Sequence, residues 1–95
     1  MSTDKDATEP LPELDFSTFV MSIIGSAFVH LGDAPDPESN ETHEEPNLLL
    51  AKQDIDLLSM LQEKTKGNLS GEEERVLSQG LHDLRMRHLE VSKGT

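Results

Sequence analysis

The chain has no cysteine, no tryptophan and no tyrosine, and only three phenylalanines. Without cysteine there is neither a disulfide staple nor a thiolate metal site. Base is scarce as well: eight Lys and Arg stand against 19 Asp and Glu, for a formal net charge of −11. Phosphate binding needs a basic patch, so nucleic acid is excluded as a partner. Anionic membrane surfaces are disfavoured for the same reason. With 95 residues the chain makes one small domain. So short a chain buries only a modest share of its surface, and association is the remaining common route to extra stability.

What is present is unevenly placed. Residues 1 to 15 carry five acids against Lys5, and residues 33 to 45 carry six acids and no base. The segment 47 to 66 balances at zero. The start of the chain has no basic n-region and no apolar h-region, so it is not a secretory signal and the expected location is the cytoplasm. Residues 1–13 read as a disordered acidic arm, and 93–95 as a tail.

From Phe16 to Gly32 the sequence FSTFVMSIIGSAFVHLG runs without a single Asp, Glu, Lys or Arg. Asp15 is a good N-cap for a helix over 16–31, and Gly32 followed by Pro35 is a plausible stop. On a helical wheel, Phe16, Phe19, Val20, Met21, Ile23, Ile24, Ala27, Phe28 and Leu31 share an arc of roughly 200°. The opposite side holds Thr18, Ser22, Gly25, Ser26 and Val29, small residues rather than charged ones. Seventeen residues make about 25 Å of helix, short of a hydrocarbon core of about 30 Å. Its acidic flanks further oppose a membrane span, and peripheral membrane contact ranks below a protein partner.

The stretch DAPDPESNETHEE (33–45) reads as a flexible acidic linker. A second helix over 47–66 follows, with Pro46 at its first turn and an apolar side of Leu48, Leu50, Ala51, Ile55, Leu57, Leu58 and Leu61. Gly67-Asn68 breaks it. Ser70 and Glu73 form a capping box for a third helix over 71–91, whose stripe is Leu77, Leu81, Leu84, His88 and Val91. The short GNLS connection makes these two an antiparallel helical hairpin. The fold class is therefore all-α: three helices, one long and apolar, plus the hairpin.

Four residues on these helices invite a closer reading. Asp54 falls inside the apolar stripe of the second helix, where a carboxylate needs a partner. Hairpin pairing brings Arg85 or Arg87 within reach, and Asp54–Arg85 is the expected structural ion pair. His30 and His88 lie on apolar sides, but no histidine pair has the i, i+4 spacing of a helical metal site and no Glu-x-x-His occurs. Gly80 sits in mid-helix, where glycine costs about 1 kcal/mol against alanine. Either a close crossing, against Leu57 or the first helix, or tolerance at a surface site accounts for it.

The segments FSTFVMSIIGSAFVHLG, AKQDIDLLSMLQEKTKGNL, EEERVL and LHDLRM resemble the bacterial domain of unknown function 1844 family, over roughly residues 14 to 91. The resemblance implies a small, all-helical, bacterial cytosolic protein. It supplies no catalytic residues, and the sequence offers no nucleophile–base pair, no cofactor motif and no metal-ligand spacing. The expectation is a non-enzymatic interaction or assembly module. It self-associates, as a dimer in the favoured form, through the Thr18, Ser22, Gly25, Ser26 and Val29 face. The alternative is a subunit that docks this helix onto a different protein.

Overall fold

The computed structural model describes residues 15–42 and 45–94. Within them are three helices, α1 (Phe16–His30), α2 (Leu48–Lys64) and α3 (Gly71–Gly94), and no strand. The fold is all-α. The acidic arm expected over 1–13 and His43 lie outside the described residues.

Local chemistry sets most helix ends. The Asp15 carboxylate accepts from the Thr18 N–H at 2.7 Å and caps α1. At the other end Gly32 takes φ 85°. Its N–H donates to the Val29 carbonyl at 3.0 Å, and that of Asp33 to the Phe28 carbonyl at 2.9 Å. These two bonds are a Schellman motif, which requires a left-handed residue where Gly32 stands.

Pro46 precedes α2 instead of opening it. Asn47 is the cap, its side chain accepting from the Leu50 N–H at 3.0 Å. The helix ends at Lys64, two residues before the expected 66; the Thr65 hydroxyl bonds back to the Leu61 carbonyl at 2.7 Å, and Gly67 takes φ 85°. At the start of α3, Ser70 Oγ accepts from the Glu73 N–H at 3.1 Å and the Ser70 N–H donates to Glu73 Oε1 at 2.9 Å. This is the reciprocal pairing of a capping box. The helix then runs three residues beyond the expected Val91, to Gly94.

Every pair of helices packs together around one core. It comprises Val20, Ile23, Ala27 and Leu31 with Ala51, Ile55 and Leu58, and Leu77, Leu81, Leu84 and Val91. Contacts between α2 and α3 run in opposite orders along the chain: Gln62 to Ser78, Ser59 to Arg85, and the Leu48 carbonyl to His88. Helices laid in opposite directions give that order. Gly80 is buried, and a Cβ there would run into Ile24 Cδ1 of α1. The missing side chain is what lets α3 lie so close to α1.

The core does not use all the apolar surface the wheel assigned to it. Phe19 and Met21 of α1 stay 50% and 56% exposed, and Leu50 and Leu57 of α2 41% and 38%. Leu49 and Met60 of α2 and Met86 and Leu89 of α3 are exposed as well.

Candidate functional site

The outward side of α1 is built by a helix that has no Asp, Glu, Lys or Arg along its length, His30 in its last turn being its one basic side chain. Thr18, Ser22 and Gly25 are exposed on it, and Ser26 and Val29 are half-buried. Ser22 Oγ donates back to the Phe19 carbonyl at 2.7 Å, so this hydroxyl is spent on its own helix. Nothing lies within 4 Å of where a Gly25 Cβ would stand. The face is open there rather than cramped.

Ser26 begins a polar cluster between α1 and α2. Its hydroxyl donates to Asp54 Oδ2 at 3.4 Å, and His30 Nδ1 meets the same oxygen at 2.8 Å. Imidazole and carboxylate are both largely covered, the His30 and Asp54 side chains being 22% and 17% exposed. The expected Asp54–Arg85 pair gives way to this arrangement. Arg85 lies on the α3 side of α2 and donates to Ser59 Oγ at 3.3 Å, whereas Asp54 points to α1. A carboxylate in an apolar stripe needs a partner, and α1, not α3, supplies it. Among the described residues no buried side-chain polar atom lacks a hydrogen bond.

The loop between α1 and α2 is tied down at both ends. Asn47 N–H donates to the His30 carbonyl at 2.7 Å, so the end of α1 and the start of α2 meet at one place. Arg87 of α3 holds the loop start through two bonds, Nε to Asp33 Oδ2 at 2.7 Å and Nη2 to Asp33 Oδ1 at 3.0 Å. Hydrogen bonding to Asp33, and next to Glu90, raises the Arg87 pKa and keeps the guanidinium charged. The loop closes on itself as well: Asn40 N–H donates to the Asp36 carbonyl and Asp36 N–H to that of Glu41. The Ala34–Glu38 turn thereby stands beside α1 and forms an open cleft of about 670 Å³ with Ser22, Gly25, Ser26, Val29 and His30. Asp36 and Glu38 rim it.

His88 Nε2 lies 3.2 Å from the Leu48 carbonyl at the start of α2, so this half-buried ring joins α3 to α2. His82 is exposed. Among the described residues no three His, Cys, Asp or Glu side chains come together to hold a metal ion. No helix of the described residues is long and apolar enough to cross a membrane.

The Asp33–Arg87 pair and the His30–Asp54 pair were not found from the sequence. Their partners are 54 and 24 residues apart, beyond any helical spacing. A signal for the second was present, since His30 and Asp54 were each a polar residue on an apolar side.

Fold and surface together define a small three-helix protein that presents an uncharged helix face beside an acidic loop. Residues 13–90 match the family described as Domain of unknown function (DUF1844), and the chain belongs to that family. Comparison with curated proteins and with solved structures gives no match.

Proposed function

We propose that this protein is a non-enzymatic interaction module of the cytoplasm that self-associates, as a dimer, through the outward face of α1. One observation carries the reading. On a chain of net charge −11, α1 turns an exposed side of Thr18, Ser22 and Gly25 outward with no charge on it, and Phe19 and Met21 flank it half exposed. An uncharged face edged by half-exposed Phe and Met on so acidic a small protein supports reading it as an interaction site. A second copy with two-fold symmetry is the simplest occupant, since the same patch then meets itself.

The test is the melting temperature against concentration. Binding that favours the folded state makes melting concentration-dependent, so dilution from micromolar to nanomolar protein lowers it. Ser22→Glu places a charge on the face and is expected to abolish that dependence with helical content unchanged. A melting temperature independent of concentration, with a monomer throughout, would overturn self-association and leave the face to a different protein.

A further inference from the structure

Resting on that reading, we infer that the second copy sits on the seam between α1 and α2, not on α1 alone. Phe19, Leu50 and Leu57 are its apolar contacts, and a two-fold axis crosses the seam. Along α2, Leu50, Asp54, Leu57 and Lys64 follow one another at spacings of four, three and seven, which puts them on one stripe. Asp54 reaches Ser26 and His30 of α1, so this stripe borders α1. Ser59, by contrast, faces Arg85 of α3. On α1, Phe19 precedes Ser26 by seven residues and shares its side. The apolar side chains on both banks of the seam are therefore Phe19, Leu50 and Leu57, each exposed by between 38% and 50%.

Charge selects a second copy as the occupant. Over the rest of the surface acids outnumber bases: Glu72, Glu74, Asp83 and Glu90 of α3 stand against Arg75, Arg85 and Lys93, and the loop adds Asp36, Glu38 and Glu41, all these acids but Asp36 exposed, on a chain of net charge −11. Two such chains repel one another by most approaches. The seam carries one acid, Asp54, whose carboxylate is already engaged by His30 and Ser26. Its two ends are of opposite sign. Lys64 closes the α2 stripe at one end, and the Asp36 and Glu38 rim stands by the second half of α1 at the other. A two-fold axis through the seam exchanges the ends. It lays Lys64 of each copy toward Asp36 and Glu38 of the other, so the pairing is complementary where like ends would repel.

The experiment is sedimentation equilibrium on the full chain with four variants, each checked for helical content by circular dichroism. Leu57→Asp is expected to raise the dimer Kd about tenfold or more, as loss of a central contact does. Met86→Asp, on the outward side of α3 and similarly exposed at 47%, is expected to leave it unchanged. Lys64→Glu weakens the dimer, and adding Glu38→Lys restores it. If Leu57→Asp loses its helices, the charge exchange alone decides. A dimer indifferent to both Leu57→Asp and Lys64→Glu, yet broken by Ser22→Glu, overturns the seam and leaves self-association through α1 standing. Equal weakening by Met86→Asp and Leu57→Asp also overturns it. A wild type that is monomeric at every concentration overturns both readings together.

Discussion

At Gly80 the lack of a side chain sets the distance between two helices. Alanine at this buried position gains helix propensity but drives a Cβ against Ile24, whose end must swing away. Leucine has no room, and overfilling a packed site costs about 1–3 kcal/mol. Gly80→Leu is therefore expected to lower stability by that amount in urea melts. His30 and Asp54 give a second test at this scale. Removing His30 leaves a largely covered carboxylate with only the long 3.4 Å bond from Ser26, at a cost of about 1–3 kcal/mol. The double variant His30→Leu/Asp54→Leu removes the carboxylate together with its partner imidazole, so its cost falls below the sum of the single ones. Asp15 supplies the pH dependence. The Thr18 backbone N–H, and next its hydroxyl, hold this carboxyl below its ordinary 3.8. A lowered value means the cap's contribution is fully present above the unfolded value and is lost as pH falls through the folded one. The stability difference between wild type and Asp15→Ala should hold at neutral pH and shrink below about pH 4, where the unfolded carboxyl protonates.

At the scale of elements, the helices were legible because their ends are written locally. Asp15, Gly32, Ser70 and Glu73 each act on backbone within a few residues, and each sits where local chemistry requires. The break expected at Gly67-Asn68 stands where Gly67 takes φ 85°, and the Thr65 hydroxyl adds a bond back to the Leu61 carbonyl in the turn before it. Tertiary pairings were less legible. Hairpin geometry fixes α2 against α3 but says nothing of how α1 crosses them, so it points Asp54 to α3, whereas its partners His30 and Ser26 are on α1. The loop is the other case. Six acids and two prolines gave no hint that Asp33 is clamped by an arginine 54 residues away. Arg87→Ala should release that clamp: amide exchange of residues 33–42 quickens in hydrogen-exchange measurements, while the core amides of α3 keep their protection.

For the molecule as a whole, one imbalance organises the account. Among the described residues eleven form a single core, and part of the apolar surface remains outside. Composition made the excess visible. Only the packing shows which side chains are left over, because Phe19, Leu50 and Leu57 carry the same periodicity as residues that are buried. Covering them by a second copy adds the burial that a small domain lacks. It also gives the uncharged sequence of α1 a purpose on both of its sides. Sedimentation equilibrium of the wild-type chain, followed from micromolar into nanomolar concentration, tests this most directly. The account predicts a dimer that dissociates on dilution and that Ser22→Glu holds as a folded monomer. A folded monomer at every concentration, or a dimer that Ser22→Glu leaves intact, would contradict it.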